Sequence, residues 1–256
     1  MTEQTDKPKP KRRWLQFSLR TFFVLLTVFC VWLGWTVHQA NEQRKAVAWV
    51  REMGGSVSYD YEFDEDGNII DDAKPPGPEW LMELVGVDCF QKVSDVRICG
   101  RKVSDLTPLE KLTSLQKLDL SKTQVDDLTP LAKLPSLKWL AVDFTPVSDL
   151  TPLGGLKNLE WLCLNQSQVD DLTPLAKLTS LEALGLHTTQ VSDLTPLAGL
   201  KNLEQLGLHG TPVNDLTPLA KLTSLEWLHL IATRVSEGQI KTLQQAIPSC
   251  VIVWSP

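Results

Sequence analysis

The pentapeptide Asp-Leu-Thr-Pro-Leu occurs six times, its first leucine falling at Leu106, Leu128, Leu150, Leu172, Leu194 and Leu216, always 22 residues apart. A fixed period of this length specifies a solenoid, because each unit leaves an apolar face that only the next unit covers. The other apolar positions keep the same register. Leu118 and Leu120 recur every 22 residues as far as Leu228 and Leu230, and one step back finds Val96 and Ile98. One step forward finds Cys250 and Ile252, so the count is eight strands.

Alternation across each strand puts Leu118 and Leu120 inward and Lys117, Asp119 and Ser121 outward. Stacking identical units makes the strands parallel. Thr129-Pro130 reads as an N-cap followed by proline at the first helical position, predicting a helical turn over 130–133 and its equivalents. The expected fold is an α/β solenoid with about eight parallel strands on the concave face and short helical turns behind.

These residues resemble the leucine-rich repeat family, with its Leu-x-x-Leu-x-Leu-x-x-Asn-x-Leu pattern, and in particular the short bacterial type found in internalins. The resemblance runs from Phe90 to Val253. It departs at the asparagine position, which holds Thr123, Thr145, Ser167, Thr189, Thr211 and Thr233, with Arg101 in the first unit. A hydroxyl satisfies neighbouring backbone less completely than an amide. The order of a basic tail, one apolar segment and threonine-type repeats is also similar to membrane leucine-rich repeat proteins of planctomycete bacteria.

The repeats, taken as 90–235, need caps. Ile240, Leu243, Ala246 and Ile247 lie at helical spacing, so 236–256 is expected to close the C-terminal end with a helix and a strand. Residues 56–89 are expected to hold a hairpin turning at Asp64–Asn68, then a capping helix over Glu79–Val85 with Trp80 and Leu84 inward. Asp64, Asp66 and Asn68 lack the distal glutamate of a calcium loop and read as an acidic turn.

Residues 21–37 carry no charge and include Phe22, Phe23, Leu25, Leu26, Phe29, Trp32 and Leu33. Seventeen residues at ~1.5 Å rise reach ~25 Å, close to a ~30 Å hydrocarbon core, with Trp14, Trp32 and Trp35 near the interfaces. The segment after it lacks the small residues of a cleavage site, so a membrane anchor is expected rather than a removed signal. Lys7, Lys9, Lys11, Arg12, Arg13 and Arg20 crowd residues 1–20 and make that tail cytoplasmic, exporting the remainder to the cell envelope or periplasm. Residues 38–55 continue as a stalk helix with Ala46, Val47 and Val50 on one side, ended by Gly54-Gly55.

Of 25 basic and 31 acidic residues, the tail and span take six and two, leaving 19 against 29 beyond Val37. An exported part of net charge about −10 argues against nucleic acid as a ligand. Five cysteines show no Cys-x-x-Cys spacing, and Cys99 and Cys163 lie three strands or ~14 Å apart, so no zinc or disulfide framework emerges. A Cys89–Cys99 bridge stays open.

Chemistry is sought in the outward columns. One reads Asp95, Lys117, Trp139, Trp161, Ala183, Gln205, Trp227; the next reads Arg97, Asp119, Ala141, Cys163, Gly185, Gly207, His229. A third contains Asp143, Asn165, His187 and His209. Trp139 and Trp161 are expected to stack beside small residues, either anchoring a partner or packing across strands. The expected contacts are Trp139, Trp161, Trp227, Asp143, Asn165, His187, His209 and His229. The three histidines have no carboxylate beside them for a metal site. No serine or cysteine is expected next to them, which leaves a hydrolytic triad without a nucleophile. The reading is a non-enzymatic membrane protein, without cofactor, that binds another protein on its concave face; the alternative is a metal- or glycan-binding envelope module.

Overall fold

The structure is a computed structural model and describes residues 19–64, 70, 73–76, 82, 86, 88 and 91–255. The basic tail before Leu19, all but Met82 of the capping helix expected over 79–85, Cys89 and most of the Asp64–Asn68 turn lie outside the described residues. A helix α1 (Leu19–Glu52) leads into one nine-stranded sheet whose spatial order follows the chain. The strands are β1 (Ser56–Tyr59), β2 (Val93–Arg97), β3 (Lys117–Asp119), β4 (Trp139–Ala141), β5 (Trp161–Cys163), β6 (Ala183–Gly185), β7 (Gln205–Gly207), β8 (Trp227–His229) and β9 (Val251–Val253). A second helix, α2 (Glu237–Ala246), precedes β9.

β2 to β9 are the eight parallel strands. β1 pairs antiparallel with β2, Val57 opposite Val96; beyond it the Ile70 N–H donates to the Glu62 carbonyl at 2.9 Å, across the arms of the expected hairpin. From β2 to β8 each strand pairs with the residue 22 further on. The last step is 24, because α2 inserts a longer return: Leu228 pairs with Ile252, not Cys250. Two residues preserve the inward parity, so Cys250 stays buried.

Every inward leucine of the repeats is buried; Leu118, Leu140, Leu162 and Leu228 have no exposed surface. The return is a 3-10 turn, as at Thr129–Lys133, not an α-helical one. Threonine does not cap it. Asp127 Oδ1 accepts the Thr129 N–H at 2.8 Å, and the equivalent aspartates repeat this contact in all six units. The threonine hydroxyl and backbone N–H hold all six carboxyls below the ordinary aspartate value.

At the asparagine position the buried hydroxyls turn inward on their own unit. Thr123 donates to the Leu120 carbonyl at 2.6 Å, and Thr145, Ser167, Thr189, Thr211 and Thr233 do likewise. The residue before each is left-handed: Lys122, Phe144, Gln166, Thr188 and Ala232 have φ between 54° and 59°, and Gly210 has 70°. That conformation aims the backbone N–H at the next unit, as from Phe144 to the Asn165 carbonyl at 2.8 Å.

α1 is one helix of 34 residues, about 51 Å long. Its first half is exposed apolar surface from Phe22 to Val37, where Thr27 and Thr36 return their hydroxyls to the Phe23 and Trp32 carbonyls. The second half is no free stalk. Ala46, Val47 and Val50 are buried against the first repeats, so this half covers the N-terminal end of the core. Gly55 permits the approach, since a Cβ there would meet the Arg97 carbonyl oxygen at 2.6 Å. At the other end α2 begins with a Ser236–Gln239 capping box and buries Leu243, with Ile247 at its C-cap also buried; Ala246, expected inward, faces solvent.

Candidate functional site

Strands of three residues leave the outward side chains of four successive units, β5 to β8, on one concave surface. A groove of about 460 Å³ lies there, with Trp161 and Trp227 at its ends, Ala183, Gly185, Gln205 and Gly207 along its floor, and Cys163, Asn165, His187 and His229 beside them. Trp161 and Trp227 stand three strands apart, roughly 14 Å. They are 38% and 47% exposed, high for such large rings on a packed sheet.

Five of the eight expected contacts therefore meet: Trp161, Trp227, Asn165, His187 and His229. Trp139, Asp143 and His209 do not line the groove. Trp139 pairs with Trp161 in register and is half-buried, but their rings do not stack; the ring contacts in this region are among the histidines. Cys163 was missed beside the histidines, although its place in the neighbouring column was visible in the sequence. Burial, then Asp143 and Asp119, push its thiol up to about 11, so it stays protonated and weakly nucleophilic.

The third column forms a ladder. Asp143 Oδ1 accepts the Asn165 N–H at 2.7 Å, Asn165 Oδ1 accepts the His187 N–H at 2.8 Å, and His187 Nδ1 accepts the His209 N–H at 3.1 Å. Each side chain thus satisfies the backbone of the next unit, the role its hydroxyl at the asparagine position does not perform. Burial raises the Asp143 carboxyl above its usual value despite this bond.

An Nδ1 that accepts a hydrogen bond is unprotonated, which puts the His187 proton on Nε2. Burial, then His229 and His209, lower its pKa and favour that neutral form. Nε2 is then a donor with no lone pair for a metal. The rings of His209 and His229 lie 6.2 and 6.1 Å from that of His187, and among the described residues no three metal-ligating side chains converge.

The glycines of the floor answer to the ladder. A Cβ on Gly207 would lie 2.5 Å from His187 Cε1 and Nε2, and one on Gly185 would lie 2.9 Å from Asn165 Oδ1. The shallow ground beside the tryptophans exists because each ladder side chain leans across the following strand.

A scan against models of protein families finds no match, and a search of curated proteins finds no relative. Solved structures are similar. An internalin from Listeria monocytogenes superposes with a TM-score of 0.58 at 31% identity over 62% of this chain and 46% of its own. Internalin C2 from the same organism gives 0.53 at 28% identity over 64% of this chain and 81% of its own. A leucine-rich repeat protein from Leptospira interrogans gives 0.56 at 23% over 59% and 40%, a likeness of fold alone. The chain thus spans about half the length of the first internalin. With the 22-residue register and the 3-10 returns, these likenesses support a leucine-rich repeat solenoid fold.

Proposed function

We propose that this chain is a non-enzymatic membrane protein whose α1 anchors it through residues 21–37, N-terminus cytoplasmic, and whose exported solenoid binds a protein partner in the concave groove. The observation that carries the reading is the pair of exposed rings, Trp161 and Trp227, three strands apart on a shared groove whose floor includes Ala183, Gly185 and Gly207. Exposed tryptophans bordering a concave apolar surface are the usual anchors of a protein interface. The anchor rests on the uncharged, exposed first half of α1, with a mean hydropathy of 1.8 over its most apolar window. The arrangement also resembles the planctomycete membrane proteins.

Two rings over a shallow polar-edged floor also suit the faces of sugar rings, which keeps glycan binding as the second reading. Metal binding counts as the weaker alternative, because His187 would free Nε2 only by giving up the bond that its Nδ1 accepts from the His209 N–H.

The test is affinity capture with the full chain in detergent, beside the double variant Trp161→Ala/Trp227→Ala and the core variant Leu162→Ala. A partner held by the wild type should be lost from the double variant while its melting temperature barely moves. Leu162, fully buried, should cost ~2–5 kcal/mol of stability. Equal retention by the double variant, or destabilisation matching Leu162→Ala, would refute the assignment. Capture abolished by soluble cell-wall oligosaccharide would move the assignment to glycan.

A further inference from the structure

Resting on the anchor proposed above, we infer that the solenoid stands on the membrane by one edge, with the lysines of its strand-start turns against anionic phospholipid headgroups.

The direction of α1 fixes which edge. Gln43 donates to the Gln91 carbonyl at 2.8 Å beside the start of β2, while Arg101 donates to the Gly54 carbonyl at 3.1 Å beyond the end of β2. The packed half of α1 thus runs the same way as the strands. Its apolar half therefore projects past the edge where the strands begin. Trp32 and Trp35 share a cleft with Lys111, Thr113 and Pro135, turn residues of that same edge. Tryptophans settle at the headgroup level of a bilayer, which brings the edge to that depth.

Charge is distributed to match. Each return delivers one lysine to this edge: Lys111, Lys133, Lys157, Lys177, Lys201 and Lys221. With Lys138 the edge has seven lysines over residues 107–226, against Glu110, Glu160, Glu182, Glu204 and Glu226. Glu110 and Glu160 are paired with Lys133 and Lys138 at 2.6 and 3.0 Å. Lys157, Lys177, Lys201 and Lys221 have no carboxylate partner among the described residues. Apart from Asp143 of the ladder, the opposite edge has seven aspartates and one lysine between Lys122 and Leu216, with Arg101, Lys102, Asp105 and Arg234 in the end units. An acidic module tethered within a Debye length of about 10 Å of an anionic surface is repelled unless it turns its acidic side away. Here α1 enforces that orientation. The strands then stand along the membrane normal, and the groove between Trp161 and Trp227 opens sideways, along the membrane surface.

The experiment uses the full chain in vesicles of phosphatidylcholine with or without phosphatidylglycerol. The photo-crosslinker p-benzoylphenylalanine replaces Thr223, on the strand-start edge far from α1, or Ser192, on the acidic edge; both positions are exposed. Flotation is scored first, then crosslinks to lipid. The expected result is flotation in every case, with several-fold more lipid crosslinks from position 223 than from 192. That excess should need phosphatidylglycerol and shrink in high salt or when Lys157, Lys177, Lys201 and Lys221 are changed to glutamate. Flotation with equal crosslinking at the two positions, or with an excess indifferent to lipid charge, overturns the inference and leaves the anchor standing. Failure to float overturns the anchor and the inference with it.

Discussion

Gly207→Ala isolates the ladder from the rest of the fold. The glycine lies in ordinary strand, and its carbonyl accepts the Leu186 N–H at 2.8 Å, so the backbone cannot retreat without opening the sheet. The new Cβ would lie 2.5 Å from two atoms of the His187 ring, so the ring must swing out. His209 then loses its acceptor. Its N–H sits at an exposed residue where water can replace the bond, so the loss is ~0.5–1 kcal/mol, with about another 1 for the uncovered ring. Alanine returns ~0.5–1 kcal/mol of backbone entropy. The net is about 1 kcal/mol of destabilisation, a fall of roughly 2–4 °C in melting temperature. In a His187→Ala background the Cβ meets no ring, and the same change should raise stability by ~0.5–1 kcal/mol. Melting the full chain in detergent, followed by circular dichroism, gives all four corners of the cycle. A coupling below about 0.5 kcal/mol, the ordinary scatter of independent sites, would show that His187 does not lean over Gly207.

Three further outcomes are expected. Ala232, left-handed at φ 57°, carries strain that glycine relieves, so Ala232→Gly should stabilise the chain by ~0.5–1 kcal/mol in a denaturation midpoint; a loss would deny the strain. Thr189→Val keeps the shape of a 1% exposed side chain and deletes its 2.8 Å bond to the Leu186 carbonyl, which should cost about 1 kcal/mol; no change would mean the hydroxyl is dispensable. The six turn aspartates are held below their unfolded pKa, so their contribution is present above about pH 4 and is lost as pH falls further, through the folded values. Asp143 shifts the other way and is relieved by protonation, so Asp143→Asn should steepen the acid decline; a melting temperature flat from about pH 5 to 2.5 would reject the turn role.

The repeat itself was legible because its period, strand parity and core positions are all one-dimensional. Three features were not. The proline turn pointed to threonine as the cap, yet a 3-10 return begins too tightly for it, and Asp127 two residues earlier reaches the N–H instead. Residues 38–55 read as a stalk continuing the span, but Gln43 bonds the Gln91 carbonyl and Asp88 at the mouth of β2, so this half of α1 is docked on the solenoid. The last strand slipped by two residues because the length of α2, not the repeat, sets its register.

The candidate site shows the same division more sharply. Positions that vary from unit to unit looked uniformly available for recognition, since nothing in the core demands them. Asp143, Asn165 and His187 prove to be spoken for, each holding the backbone of the unit that follows. Gly185 and Gly207 are spoken for in turn, as room for those side chains. The signal was latent in the spacing: a side chain that leans one strand over lands 20 residues on, and Asn165 to Gly185 and His187 to Gly207 both fit. Variation within a solenoid is therefore not by itself evidence of binding, because neighbouring units co-determine one another. Removing the committed residues leaves Trp161, Cys163, Gln205, Trp227 and His229 among the groove side chains that hold no neighbouring unit's backbone, and the proposed binding would draw its specificity from them.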